Sequence, residues 1–340
     1  MLLENLLAVT GGKLLNNPSI SRFDSIELNA SKVTRGSLFI AESQKDDIDI
    51  ALKSGAYGIL TDDLYITITD EEVAWIYVKD IKKSLTKLLR LWLLELPRTI
   101  FYTTTQVLEF LEKIQSNPSI LLLNGDEEQK SKQILSSSPK QIIFCDDKLF
   151  LEHIGADVTA PETLHVDYEI VDSRIFETSI IIDGTYYNRL PLIPCMVPFL
   201  IDAIGILKSF HSTLSINNIN FTKSLEPLFV NSSCEIVGFG ESDKVLIFAS
   251  NDLKCELLKI FENIKWIEFK LLLPTKIKFY CDIKVPYTTW NSDRELYDEV
   301  FKQIKKRGYT LIYSQTKEIF FKKLENYNLN KKPILNQGLF

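Results

Sequence analysis

"PRTIFYTTTQVLEFLEKI", residues 97–114, is the stretch on which the reading of this chain turns. Residues 99–103 form an apolar, β-branched run that predicts a buried strand, and residues 105–115 carry apolar side chains at helical spacing. A strand, a run of threonines and a helix are what surround a phosphate-binding loop. There, glycines let backbone N–H groups close around phosphates, a lysine reaches the outer ones, and a Ser or Thr serves magnesium. Here the strand meets the helix with neither glycine nor lysine between them. The flanking elements are predicted; the cradle is missing.

Working outward, short strands and helices alternate on both sides. Strands are predicted at "GSLFIA" (36–41), "GAYGILTDD" (55–63) and "WIYVKD" (75–80), followed by a helix from Lys82 that Pro97 stops. Beyond the opening stretch come strands at "SILLLN" (119–124), "QIIFCDD" (141–147) and "ETSIIIDG" (177–184), a loop at "SSSPKQ", and a helix from about Val197 to Leu214. The last third repeats the pattern: "KVLIFAS" (244–250), a helix from Asp252 to about Ile264, "KIKFYCDI" (276–283), a helix from Ser292 to Lys306, "YTLIYSQ" (309–315) and a final helix. The tail from Asn326, rich in Asn and Lys, is expected to be loosely attached. Strands alternating with helices of this length predict an α/β fold with mostly parallel sheets.

At 340 residues the chain is long enough for two or three domains, and 45% apolar with 25% charged residues is an ordinary globular composition. A net charge of -6 without any long basic block argues against nucleic acid as a partner. The opening "MLLENLLAVTGG" lacks a basic segment and a long apolar run, so it does not resemble a secretory signal. "LTKLLRLWLLELP" is too short and too charged to span a bilayer. Five cysteines (Cys145, Cys195, Cys234, Cys255, Cys281) are widely spaced and predict reduced thiols in a cytoplasmic protein.

Residue chemistry taken alone points to no reaction. Gly12-Lys13 in "TGGKLL" lacks the remainder of a phosphate loop and reads as a turn. "NGDEEQKSKQ" (124–133) offers Gly125 and Lys130, but acids stand where phosphates would lie, so it reads as a helix start with Asp126 complementing the dipole. Asp146, Asp147, Asp183 and Asp282 end strands, a position that suits a metal ligand, a base or a helix cap alike. His153, His165 and His211 are scattered and without nucleophile partners. No metal and no cofactor is expected.

The N-terminal third resembles the first domain of the Mur ligases, especially the D-alanyl-D-alanine-adding type of peptidoglycan synthesis. "LLAVTGGKLL", "NASKVTRGSLFIA" and "ALKSGAYGILTDD" keep Gly11, Gly12, Val33, Gly36, Leu38, Phe39, Ala41, Ala51, Gly55 and Ala56 at that family's places and spacings, apart from a shorter middle loop. The resemblance implies three domains: a UDP-precursor-type domain at 1–96, a shortened central ATPase-like domain at 97–220, a Rossmann-like domain at 221–330, and a tail at 331–340. It lays the family's Gly-x-x-Gly-Lys-Thr-Thr-Thr on the opening stretch, where only Thr103, Thr104 and Thr105 remain. The central segment with a metal-binding acid and His is missing, and Asp202, Ala203 and Gly205 persist without the family's preceding His-Asn. Asn29, Ala30 and Ser31 replace the family's Asp-Ser-Arg at the UDP site, and Ser250 and Asn251 replace part of an Asp-x-Tyr-Asn.

What the resemblance implies is a degenerate ligase: a binding or regulatory protein whose partner is a UDP-linked muramyl peptide or a cell-wall synthesis protein. Two alternatives stand beside it. One is an active ligase with a nucleotide site rebuilt around Asn124, Gly125 and Lys130; the other is an unrelated α/β interaction module. The residual ligand-binding residues expected are Asn29, Ser31, Lys32, Arg35, Thr103, Thr104 and Thr105, with Lys32 and Arg35 supplying charge for a pyrophosphate.

Overall fold

A computed structural model describes residues 1–41, 45–217, 219–251, 253–263, 267–276 and 284–331. The chain forms two compact units, residues 1–104 with 117–161 and residues 105–116 with 162–340.

The first unit opens with helix α1 (Leu3–Thr10) and a five-stranded sheet of β1 (Lys13–Leu14), β2 (Ser25–Glu27), β3 (Ser37–Ala41), β4 (Gly58–Thr61) and β5 (Ala74–Tyr77). The strand order is β1-β5-β4-β3-β2, with β2 to β5 parallel and β1 antiparallel at the edge. Helices cover both faces, which is why β3 and β4 are buried at every residue rather than at alternate ones. Phe39, Ala41, Ile59 and Trp75 pack with Ala51 of α2 (Lys45–Lys53) on one face. Leu38, Ile40, Leu60 and Ile76 pack on the other against α1 and α3 (Ile81–Glu95).

Helix α3 starts where Asp80 accepts a hydrogen bond from the Lys83 amide (3.1 Å), and it stops ahead of Pro97. Its buried Leu85, Leu88, Leu89 and Trp92 belong to the core shared with a second sheet. That sheet comprises β6 (Thr99–Tyr102), then, after helix α4 (Thr105–Ile114), β7 (Ile120–Leu122), and, after α5 (Glu127–Leu135), β8 (Ile142–Cys145). The order is β6-β8-β7, all parallel, and α5 and α6 (Lys148–Ile154) pack on α3. One apolar cluster thus joins both sheets through α3.

In the second unit, β9 (Tyr168–Ser173), β10 (Thr178–Ile182) and β11 (Thr185–Leu190) form an antiparallel meander, and α7 (Val197–Ser209) packs on α4. Helix α7 ends five residues before the expected Leu214, because His211 takes a left-handed conformation (φ 52°) and closes the last turn. A second five-stranded sheet of β12 (Leu225–Phe229), β13 (Lys244–Ala249), β14 (Phe269–Pro274), β15 (Tyr287–Trp290) and β16 (Gly308–Tyr313) has the order β12-β13-β16-β14-β15. All of its pairs are parallel except β12 with β13. Phe248, Leu272 and Ile312 pack under α8 (Asp293–Gln303) and α9 (Lys317–Lys331) through Leu296, Tyr297, Val300 and Phe320.

The α/β class with mostly parallel sheets is as expected. Two local differences stand out. The helix expected after β13 is a three-ten run, Cys255–Asn263, and "FKLLLP" forms a strand beyond those the sequence predicts. The strand expected at "KIKFYCDI" falls at 277–283, outside the described residues, apart from Lys276. Among the described residues no helix is long and apolar enough to cross a membrane.

Candidate functional site

Parallel pairing of β2 with β3, Ser25 opposite Ser37 and Glu27 opposite Phe39, sorts the expected N-terminal residues into two groups. Asn29, Ser31 and Lys32 follow the carboxyl end of β2, the side on which open α/β sheets bind ligands. Asn29 accepts a hydrogen bond from the Ser31 amide (2.9 Å) and so starts the three-ten turn Ala30–Lys32, whose Ala30 is buried while Asn29, Ser31 and Lys32 are exposed. Burial pushes the Glu27 carboxyl above its ordinary range, partly opposed by the nearby Lys32 charge. This end therefore offers an ammonium, a hydroxyl and an amide to an anion or a sugar.

Arg35 lies at the opposite end, two residues ahead of β3. Its Nε donates to the Tyr57 hydroxyl (3.0 Å), and both line an open groove of about 380 Å³ with Lys53, Asp70 and Glu72. The fold does not bring Arg35 together with Asn29, Ser31 and Lys32. Tyr57 escaped the sequence reading because a tyrosine leading into a strand gives no signal beyond packing.

The strand and helix of the opening stretch are joined by two residues, Thr103 and Thr104, and Thr105 is already the first residue of α4. Thr103 is buried, and its amide donates to the Cys145 carbonyl (2.9 Å), so that N–H is committed to the protein. Thr104 is exposed. A phosphate cradle needs several consecutive free amides, and a connection of this length cannot supply them.

The loop after β7 is likewise closed by its own side chains. The Asn124 amide donates to Gln133 Oε1 (3.1 Å), the Asp126 amide to Gln129 Oε1 (3.1 Å) and the Gln129 amide to Asp126 Oδ1 (2.9 Å), a reciprocal cap on α5. Gly125 sits at φ 95°, and a Cβ there would fall 1.9 Å from Gln129 Oε1, so the capped turn requires glycine. Lys130 points into the protein: its buried ammonium is 2.8 Å from Asp147 Oδ2 and 5.7 Å from the Phe150 ring centroid. Burial pushes the Asp147 carboxyl up, but hydrogen bonds from Lys130 and the Phe150 amide, with the Lys130 and His153 charges, outweigh it and hold the carboxyl below its ordinary range. Asp147 caps α6.

The remaining expected chemistry is dispersed. Asp183 pairs with Lys208, His153 with Glu127 (3.4 Å), and His211 Nδ1 lies 3.3 Å from the Lys208 carbonyl; Asp282 is outside the described residues. Cys145, Cys195 and Cys234 are free thiols, with burial pushing Cys195 up to about 12 and Cys234 up to about 11. Among the described residues no three His, Cys, Asp or Glu side chains are grouped to hold a metal ion.

In the second unit, Gly205 persists because a Cβ there would fall 2.5 Å from the Leu164 carbonyl oxygen, whose residue's amide donates to the Gly205 carbonyl (3.1 Å). Ser250 donates its amide to Ser224 (3.0 Å), and the Asn251 carbonyl accepts from the Tyr313 hydroxyl (3.3 Å). The Ser224 amide in turn donates to Glu109 Oε2 (3.1 Å), and Gln106 Nε2 lies 3.4 Å from the Ser224 hydroxyl. Burial raises the Glu109 carboxyl above its ordinary range, against the hydrogen bonds from Ser224. A lone Glu in the middle of an amphipathic helix gave no warning of this.

No family model and no curated protein matches the chain. Among solved structures it is similar to the UDP-N-acetylmuramoylalanyl-D-glutamyl-2,6-diaminopimelate–D-alanyl-D-alanyl ligase of Acinetobacter baumannii, with 9% identity over 96% of this chain and 98% of that one, TM-score 0.47. It is similar also to the MurF ligase of Thermotoga maritima in complex with ADP, with 14% identity over 89% of this chain and 98% of that one, TM-score 0.45. These are likenesses of fold alone.

Proposed function

We propose that the chain is a catalytically degenerate Mur-ligase-like protein of the cytoplasm, which binds a UDP-linked muramyl peptide or a cell-wall synthesis protein and regulates peptidoglycan precursor synthesis without hydrolysing ATP. The N-terminal motif carries the Mur-like part of that reading, and the division at residues 96, 220 and 330 goes with it. One observation carries the loss of chemistry: two residues, with no glycine and no lysine, join β6 to α4, and the amide of the first is committed to Cys145. Losing a single transition-state donor costs about a hundredfold to a thousandfold in rate. Removing the lysine, the loop amides and the metal ligands together leaves nothing to phosphorylate a carboxylate.

Asn29, Ser31 and Lys32, at the carboxyl end of β2, are the residues assigned to a retained ligand. Calorimetric titration with magnesium-ATP is expected to give no saturable heat, and micromolar binding would overturn the degenerate reading. Titration with UDP-muramyl-tripeptide is expected to saturate, and Lys32→Ala to weaken it. Identical binding by that variant would remove the ligand from this end of the sheet.

A further inference from the structure

Arg98, between Pro97 and β6, differs from the chain's other arginines. All eight lie among the described residues, and Arg98 alone is half buried, the rest being exposed. Arg22, Arg174, Arg294 and Arg307 each have a carboxylate within 4 Å, and each is more than half exposed. Arg98 has none. Its Nε donates to the Ser137 hydroxyl (3.4 Å), one terminal nitrogen to the Leu96 carbonyl (3.0 Å) and the other to the Ser137 carbonyl (3.4 Å). A guanidinium has five N–H groups, so one on each terminal nitrogen is left without a protein acceptor among the described residues. Three neutral acceptors orient the group without neutralising it, and a desolvated charge without a counter-ion is costly. Burial accordingly pulls the Arg98 guanidinium below its ordinary range.

Arg98 also lines a groove of about 290 Å³. Leu93, Pro97, Ile100, Phe101 and Ala156 also line it, together with Gly155 and Thr159. Its one carboxylate, Asp157, makes no ion pair with Arg98. The groove lies at the amino end of β6, the end of the sheet away from Thr103 and Asp147, so it is separate from the residues already assigned.

We propose that this groove is a binding site for a small carboxylate with an apolar tail, the carboxylate bridging the two free N–H groups of Arg98 and the tail lying against Leu93, Ile100 and Ala156. Two N–H groups on adjacent nitrogens match the bite of a planar carboxylate, which is the geometry in which arginine is most selective. The proposal is independent of the Mur-like reading.

Sodium hexanoate is a suitable probe, read by ligand-observed NMR on the full chain at constant ionic strength. Saturable binding in the low-millimolar range is expected, as suits a ligand of fragment size. Arg98→Gln is expected to weaken it at least tenfold, Arg98→Lys by less, and hexan-1-ol is expected not to saturate. Ala156→Phe, which fills the groove while keeping the Arg98 charge, is expected to abolish binding. Should Arg98→Gln lose its circular-dichroism signature, Arg98→Lys and Ala156→Phe decide. Undiminished binding by the folded variants, no saturation of the wild type, or inorganic phosphate binding as tightly as hexanoate would each overturn the assignment.

Discussion

Replacing Asp147 by alanine strands the Lys130 ammonium. The Lys130 side chain is only 8% exposed, and its Nζ has Asp147 Oδ2 at 2.8 Å as its carboxylate. Breaking a buried pair by removing one partner costs about 3–5 kcal/mol. The same change deletes the α6 cap, in which Oδ1 accepts the Phe150 amide at 3.0 Å, for about 1 kcal/mol more. The Asp147 side chain is 32% exposed, so water softens the first contribution and a total of about 4 kcal/mol is expected. Lys130→Met leaves a carboxylate that water can reach and is expected to cost about 1–2 kcal/mol. The double variant Lys130→Met/Asp147→Ala should cost clearly less than the sum of its singles. Because the folded carboxyl lies below its unfolded value of 3.8, its contribution is present above that pH and is lost as pH falls below it. Urea unfolding at several pH values measures all of this. If Asp147→Ala stayed within about 1 kcal/mol of wild type, or the double variant were additive, Lys130 would not be a structural cation and a ligand role for it would reopen.

Two further outcomes are expected. Gly205→Ala gains about 1 kcal/mol of helix propensity but must push the Leu164 carbonyl back from 2.5 Å, so a net loss of about 1–2 kcal/mol in urea unfolding follows; a variant as stable as wild type would show that segment 163–164 yields freely. Glu109→Gln keeps an acceptor for Ser224 and removes a charge that burial disfavours, so it should be at least as stable as wild type at pH 7. With the folded carboxyl raised above 4.5, wild type loses stability as pH rises through that window, and the variant's advantage should vanish below it. An advantage that persists at pH 4 would refute the assignment.

The parts of the fold that were legible are those where apolar periodicity meets a stop signal. Helix α3 is one such case, with Asp80 in front and Pro97 behind, and β3, β4, β8 and β13 are others. The meander was half read: β10 was expected, its partners were not. Asp183 and Gly184 both have positive φ (48° and 78°), the two-residue hairpin turn that an Asp-Gly pair favours, so that signal was present. What stayed hidden is β9, exposed along its whole length and therefore without a buried face to mark it. At the site level, the missing cradle could be read directly, because glycine and lysine are either there or not. The separation of Arg35 from Asn29 could not, since it depends on the pairing direction of β2 and β3. Arg98 was invisible for a related reason: a residue type carries charge, but only packing decides whether that charge is answered.

A phosphate loop holds its shape for the ligand and contributes little to a core, so the two-residue connection between β6 and α4 is compatible with a stable fold. Here Ile100 of β6 stays in the core of the first unit, and Val107, Leu108, Phe110, Leu111 and Ile114 of α4 stay buried in the second. Each such side chain stabilises by about 1.5–3 kcal/mol when buried, whereas halving or doubling a flexible connection changes closure entropy by only about 0.6 kcal/mol. Lengthening the connection again should therefore be tolerated. A variant with a Gly-rich, Lys-containing segment inserted between Tyr102 and Thr105 is expected to unfold within about 1–2 kcal/mol of wild type and still to show no magnesium-ATP binding by calorimetry. Binding is expected to fail because the cationic and amide groups of the 124–130 turn, the Asn124, Asp126 and Gln129 amides and the Lys130 ammonium, are already engaged by the protein's own side chains, and among the described residues no three His, Cys, Asp or Glu side chains are grouped to hold a metal ion. Micromolar binding by the insertion variant would mean that those engagements yield to a phosphate and would overturn this reasoning.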